Sequence, residues 1–203
     1  MLAFTKKEQM MMKRLNTPAK VQDFLNQIPI NFEKDGVDTV KSPIMVLRAK
    51  SAHCIEAGIL GAYILSLHGH KPLLVHLAST KEDSDHVIAL FKVKGLWGAL
   101  SKGNHVTLRY RDPVYKSIRE LVMSYFNEYY LENGEKTLRS YSAPLNLNTF
   151  EDDWATAEED LWGIDEALDE IKHYDIAPKE IIKTLRKSDS IEQRALDITD
   201  WKE

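Results

Sequence analysis

The feature that most constrains the fold is a largely apolar run of 13 residues, Ile55 to Leu67. A helix drawn through this run is apolar on nearly every side, and such a helix belongs in the centre of a core. The run is shorter than the roughly 20 residues that a membrane-spanning helix needs. It therefore predicts a buried helix that begins at Ser51, a favoured N-cap residue, and stops at His68 and Gly69.

Short β-like segments follow this helix, and the connections between them are also short. The predicted strands cover residues 71–79, 86–93, 96–101 and 105–111. A polar loop at 80–85 joins the first two, and Lys94-Gly95 forms a tight turn between the next two. Because strands joined by so few residues pair as hairpins, the sheet should be antiparallel. A buried helix followed by such a sheet predicts the α+β class.

Helical patterns occupy both ends of the chain. The predicted helices cover residues 5–29, with an interruption near Pro18, the segment from Asp112-Pro113 to Tyr130, and residues 156–172, 178–187 and 190–197. Residues 33–38 are predicted to form a turn, and residues 136–150 an irregular or extended segment. Asp followed by Pro is a common N-cap and first-turn pair. The length favours a single domain, 1–203, with a core at 43–131, an N-terminal helical segment at 1–42 and a C-terminal helical extension at 150–203.

Composition narrows the class of partner and the compartment. The net charge of −4 gives no reason to expect binding to nucleic acid or to an anionic membrane. The single cysteine, Cys54, cannot form an internal disulfide, and this favours a reducing, cytoplasmic location. The first fifteen residues carry too many charges for a secretory signal peptide.

Simple lengths place Cys54 close to other polar residues. A helix from Ala52 to His68 rises about 25 Å, and a seven-residue strand covers about 23 Å. If antiparallel strands run back along the helix, His86 and the segment 101–104 return to the end that carries Cys54. In the first turn of a helix, free N–H groups and the dipole favour a thiolate. A neighbouring imidazole could take the thiol proton, and a third polar group could orient that imidazole.

The residues that carry this grouping also carry a family resemblance. The segments "SAHCIEAGILGAYILSLHGHKPLLVHL", "DSDHVIALF" and "GLWGALSKGN" resemble the core of the transglutaminase-like superfamily, which is part of the papain-like group of cysteine enzymes. The resemblance covers about residues 43–115 and is strongest to uncharacterised bacterial members rather than to protein-crosslinking enzymes. It implies a Cys-bearing helix packed on an antiparallel sheet, with Cys54 as nucleophile and His86 as base.

The third catalytic position departs from the family pattern. Members of the superfamily commonly place an acid a few residues after the tryptophan of the third strand, whereas Trp97 is followed here by "GALSKGN". Asn104 could replace the acid, since papain-like enzymes use Asn in this role, and Ser101 is a weaker substitute. Asp112 is the nearest downstream carboxylate. The sequence leaves open which of these residues orients His86.

The resemblance implies cysteine-dependent acyl transfer or amide hydrolysis through a thioester, with a peptide or protein amide as substrate. The histidines near Cys54 in the sequence, His53, His68, His70 and His76, do not have the spacing of a zinc site, so we expect no metal and no cofactor. Several competing interpretations remain. Cys54 could be a small buried hydrophobe, Asn104 a turn residue and Asp112 only a helix cap. The chain could be a non-catalytic peptide- or protein-binding module that keeps the fold. Residues 150–203 could cover the core or bind a partner.

Overall fold

The computed structural model describes residues 2–33, 36–151 and 153–202. Its α-helices are α1 Lys6–Arg14, α2 Pro18–Asn26, α3 Pro43–Ala49, α4 Cys54–Ser66, α5 Ile118–Met123, α6 Trp162–Glu170, α7 Lys179–Ile182 and α8 Ser190–Gln193. Its strands are β1 Leu73–Ala78, β2 His86–Val93, β3 Leu96–Leu100, β4 Arg111–Tyr115, β5 Ser140–Ser142, β6 Leu145–Asn146 and β7 His173–Asp175. Helices and sheet in this arrangement confirm the predicted α+β class.

The strands form one antiparallel sheet in the order β4-β3-β2-β1-β5-β7, with β6 also beside β1. The β1–β2 and β2–β3 hairpins form at the predicted places, and β2 begins at His86 as predicted. Lys94 and Gly95 both adopt left-handed backbone conformations, with φ of 48° and 87°, and this closes the tight turn between β2 and β3. The hairpins place His86 and Ser101 at the same end of the sheet.

Helix α4 lies in the core on one face of this sheet. Most of its residues are buried, and it packs between β2 on one side and α2 and α3 on the other. Gly61 allows the close approach, because a Cβ there would lie 2.8 Å from Leu100 Cδ1 and 3.2 Å from Leu25 Cδ1. The opposite face of the sheet is covered by α5 and by Tyr125 and Tyr129.

The first half of the chain departs from prediction at two helix starts. Ser42 and Pro43, predicted as an extended approach, begin the unpredicted helix α3, with Ser42 as N-cap and Pro43 at its first position. Helix α4 starts at Cys54 rather than just after Ser51. The predicted turn at 33–38 includes residues 34 and 35, which lie outside the described residues.

The helix predicted from Asp112-Pro113 to Tyr130 is wrong in its first part. Residues 111–115 form β4, and helix α5 begins only at Ile118. β4 is an edge strand, and an edge tolerates a proline because no further strand needs its missing N–H group. Asp112 is therefore an exposed strand residue rather than a helix cap. The strand predicted at 105–111 is correspondingly displaced, because β4 starts at Arg111.

The terminal segments pack on the central core. Ile164 and Leu168 of α6 are buried in the same apolar cluster as α4, and so are Val21 and Leu25 of α2. The helices predicted at 156–172, 178–187 and 190–197 are present as shorter elements. In residues 2–33, 36–151 and 153–202, no helix combines the length and the hydropathy required to cross a bilayer.

Candidate active site

Cys54 is the first residue of α4 and is half-buried at the end of the core. His53 is the N-cap residue, and its backbone N–H donates to Glu56 Oε2 at 3.0 Å. The carboxylate at the third helical position thus caps the helix start. The first intrahelical hydrogen bond runs from the Ala57 N–H to the His53 carbonyl. The thiol therefore lies at the positive end of a 13-residue helix dipole.

Two imidazoles, those of His53 and His86, act on the thiol. Burial alone raises the pKa of Cys54. The side-chain interactions with both rings and the charges of the rings outweigh this effect and lower the pKa from 9.0 to about 5. A cysteine with such a pKa is a thiolate at neutral pH, which is the nucleophilic form of the side chain.

A chain of hydrogen bonds fixes the tautomer of His86. The His86 Nε2 atom lies 2.8 Å from Ser101 Oγ, and the Ser101 hydroxyl donates to the Leu108 carbonyl. Because that carbonyl can only accept, Ser101 Oγ accepts the proton of Nε2. The other ring nitrogen, Nδ1, is then left with a free lone pair. A base in this tautomer can take a thiol proton.

Ser101 is held by a residue of the N-terminal segment. The side-chain amide of Gln22 donates to the Ser101 carbonyl at 2.8 Å and accepts from the Ser101 N–H at 3.0 Å. Both residues are buried, with 4% and 3% of their surfaces exposed. This two-sided clamp fixes the backbone from which the Ser101 hydroxyl reaches His86.

The structure does not bring the other two candidate partners to His86. Asn104 borders the same cleft as His86, but its side chain binds the backbone of Trp201 through Nδ2 to the carbonyl at 3.1 Å and through Oδ1 to the N–H at 2.9 Å. Asp112 is exposed on β4. Of the candidates named from sequence, the structure thus groups Cys54, His86 and Ser101.

Replacing Asn104 with alanine should loosen the C-terminus and leave the thiol unchanged. The variant loses two hydrogen bonds to Trp201, each of about 0.5–1.5 kcal/mol. Carboxypeptidase should therefore trim the last residues about tenfold faster than in the wild type. A shift of the Cys54 alkylation midpoint by more than about half a pH unit would show that Asn104 acts on the site after all.

Two carboxylates lie behind His53, which is not one of the catalytic residues predicted from the sequence. Its Nε2 donates to the Thr39 carbonyl at 2.7 Å and lies 3.3 Å from Glu33 Oε1 and 3.7 Å from Glu56 Oε1. Burial lowers the pKa of His53, but the hydrogen bond and charge of Cys54, the charge of Glu56 and the Thr39 carbonyl raise it to about 9. The only sequence signal was its position beside the nucleophile.

Glu56, the single carboxylate of the apolar helix, forms an ion pair with Lys41. It is fully buried and accepts from Lys41 Nζ at 2.9 Å, from the Lys41 N–H at 3.2 Å and from Thr39 Oγ1 at 2.7 Å. Burial raises its pKa, but the charge of His53 and these hydrogen bonds lower it overall. Glu56 is therefore an anion that links the helix start to the segment 39–41.

A third imidazole, His76, joins the C-terminal extension to the sheet near the thiol. Its Nε2 lies 3.0 Å from Asp85 Oδ2, and its Nδ1 lies 3.3 Å from His173 Nε2 and 3.5 Å from Asp169 Oδ1. Burial lowers the pKa of His76, but the hydrogen bond and charge of Asp85 and the charge of Asp169 raise it. Residues of α6 and β7 thus meet the core at a charged contact.

Cys54 and His86 lie between two clefts, and Asp85 lines both of them. Cys54 opens onto the smaller one, of about 210 Å³, to which α6 contributes Asp165, Leu168 and Asp169. His86 borders the larger one, of about 400 Å³. The C-terminal extension therefore forms one wall of the thiol cleft. An extended peptide substrate could reach Cys54 and His86 through either cleft.

Comparisons with known proteins add a distant likeness in fold. No protein-family model matches the sequence, and no curated protein is significantly similar to it. Among solved structures, LapG of Legionella pneumophila, in its EGTA-treated form, matches with a TM-score of 0.43 and 14% sequence identity. The match covers 80% of this chain and 85% of that one. The chemistry of the site therefore rests on its own geometry.

Proposed function

We propose that this protein is a cysteine-dependent enzyme that cleaves or transfers acyl groups of peptide or protein amides through a thioester on Cys54. The observation that carries the proposal is the position of the Cys54 thiol at the start of α4, on a cleft that His53 also lines, together with a His86 ring that Ser101 orients. A low pKa, a partly exposed position and an oriented base together are the requirements of a cysteine nucleophile. A structural cysteine in a core needs none of them.

The first half of the reaction forms the thioester. His86 takes the thiol proton at its free ring nitrogen, and the Cys54 sulfur attacks the carbonyl carbon of the amide. The backbone N–H groups of Cys54 and Ile55, which precede the first intrahelical hydrogen bond, stabilise the oxyanion that forms. His86 then gives its proton to the departing nitrogen, the C–N bond breaks, and the acyl group stays on sulfur.

The second half releases the acyl group. His86 takes a proton from water, the resulting hydroxide attacks the thioester carbon, the C–S bond breaks, and His86 returns its proton to the sulfur, so that hydrolysis releases the acid. If an amine takes the place of water, the product is a new amide and the reaction is a transfer. Ser101 keeps His86 in the required tautomer throughout, because its hydroxyl is committed to the Leu108 carbonyl.

The proposal predicts that iodoacetamide will alkylate Cys54 with a midpoint near pH 5 rather than near the value of a free thiol. Cys54 is the only cysteine, so whole-protein mass spectrometry reports this residue alone. The same protein unfolded in urea is the matched control and should titrate near pH 8.5. A midpoint at or above about 8.5 in the folded protein would exclude an activated thiolate.

The same measurement separates catalysis from binding. A non-catalytic module that merely keeps the fold requires no thiolate, so a midpoint equal to that of the unfolded control would favour it. Formation of an acetyl thioester on mixing with p-nitrophenyl acetate, followed by its hydrolysis, is the positive result. Cys54→Ala should form no such species. A wild-type protein that is alkylated at low pH but never acylated would favour the binding module.

A further inference from the structure

His53 and His86 differ in what lies behind each ring. Behind His86 is the neutral hydroxyl of Ser101, and in the described part of the chain no carboxylate forms an ion pair with this imidazole. Asp85, its neighbour in sequence, binds His76 and Ser79 instead. Behind His53 are two carboxylates within 4 Å of Nε2, one of which is the buried Glu56. The two rings therefore have different electrostatic surroundings.

The hydrogen bonds of His53 favour its charged form. The Thr39 carbonyl accepts only, so Nε2 carries a proton in either state of the ring. The same ring belongs to the residue directly before Cys54, and both residues line the thiol cleft. With Glu33 and Glu56 on one side and a thiolate on the other, a positive ring satisfies both contacts. A neutral ring would leave the Cys54 charge with one cationic neighbour fewer.

We propose that His53 is a second catalytic imidazole, a standing positive charge that stabilises the Cys54 thiolate while His86 alone transfers protons. This inference rests on the proposed function, because it assigns separate roles to the two imidazoles of the proposed active site. The proton count closes: His53 keeps its proton throughout, and the thiol proton passes to His86, then to the leaving nitrogen. Water later supplies the proton that returns to sulfur.

The charged groups that face His53 come from several elements. Glu33 and Lys41 belong to the segment before α3, Cys54 and Glu56 to α4, and Asp165 on α6 faces the ring across the thiol cleft. Lys41 forms an ion pair with Glu56 and therefore offsets part of the charge of that carboxylate. The remaining negative charge acts on His53. Glu33 touches His53, and its removal changes the charge of the site without removing the ring.

The test is the pH dependence of Cys54 alkylation by iodoacetamide in His53→Asn. Asparagine is a favoured N-cap residue, so the start of α4 should survive, and circular dichroism will verify the fold. We expect the alkylation midpoint to rise by at least about one pH unit, so that labelling at pH 5 slows by about fivefold or more. His53→Lys, which restores a positive charge at the same place, should bring the midpoint back down.

His53→Gln keeps the inference testable even if His53→Asn fails to fold. Glutamine is also neutral, so the midpoint should rise in this variant too, whereas Glu33→Gln keeps the charged ring and should not raise it. A midpoint within about 0.3 pH unit of the wild type in whichever neutral variant of His53 folds would overturn the inference.

The outcomes also distinguish this inference from the proposed function. If the wild type itself titrates as a free thiol, the proposed function fails and the inference fails with it. If the wild-type midpoint is low and His53→Asn does not move it, only the role of His53 is overturned. If His53→Asn raises the midpoint but the wild type never forms an acyl-enzyme, His53 does stabilise the thiolate and the proposed function is overturned.

Discussion

The His86→Gln variant will accumulate acetylated Cys54 when it is mixed with p-nitrophenyl acetate, whereas the wild type will hydrolyse the ester continuously. The first step needs only a thiolate, because nitrophenolate leaves without a proton. The second step needs a base that removes a proton from water, and His86 is the oriented base of the site. Deacylation should therefore slow by about 100- to 1,000-fold, in the range of general base catalysis.

Mass spectrometry of the intact protein at successive times measures the two steps separately. Ser101→Ala should slow deacylation by about tenfold, because His86 keeps its ring but loses the partner that fixes its tautomer. Asn104→Ala is the matched control, since its side chain binds the backbone of Trp201. Hydrolysis of the acetyl group by His86→Gln at the wild-type rate would show that another group is the base.

Replacing Glu56 with leucine should cost about 3–5 kcal/mol of unfolding free energy, the range found when a buried ion pair loses one partner. Lys41 would remain half-buried without its carboxylate, and the His53 N–H and Thr39 hydroxyl would lose their acceptors. Urea unfolding followed by circular dichroism measures this loss. The double variant Lys41→Met with Glu56→Leu should recover much of it.

The contribution of Glu56 also has a defined pH dependence. Its pKa is lower in the folded protein than in the unfolded chain, so the folded state binds fewer protons near that pH. The stabilisation is complete above the unfolded pKa of about 4.5 and disappears as the pH falls through the lower folded pKa. An unfolding free-energy difference between wild type and Glu56→Leu that stays constant from pH 7 to pH 3 would contradict this assignment.

Local patterns in the sequence determine much of the fold. The apolar run after Cys54 predicts a buried helix, and Lys94-Gly95 between two β-like segments predicts the β2–β3 hairpin, because both signals depend on neighbours in the chain. The same local rules gave a wrong prediction for the edge strand β4. Asp112-Pro113 has the composition of a helix start, and only the tertiary position at the sheet edge decides otherwise.

The partner of His86 could not be selected from the sequence. The predicted strand layout brought both Ser101 and Asn104 to the end that carries Cys54, and Asp112 was the nearest downstream carboxylate. The choice depends on Gln22, which holds the Ser101 backbone, and on Trp201, which occupies the Asn104 side chain. Both contacts join residues far apart in sequence, so no local pattern reveals them. The position of His53 beside the thiol was visible, but its two carboxylates were not.

The clamp between Gln22 and Ser101 spans 79 residues and has a consequence for biosynthesis. A nascent chain in which residues 101–108 are still in the ribosome contains Cys54 but has no oriented base. Its thiol should then have the ordinary pKa of about 8.5 and be largely protonated at neutral pH. The reactive thiolate therefore exists only after the chain has closed on itself. Incomplete chains therefore lack the activated thiolate. We expect the rate of thiol labelling at pH 6 to report how fast the chain folds.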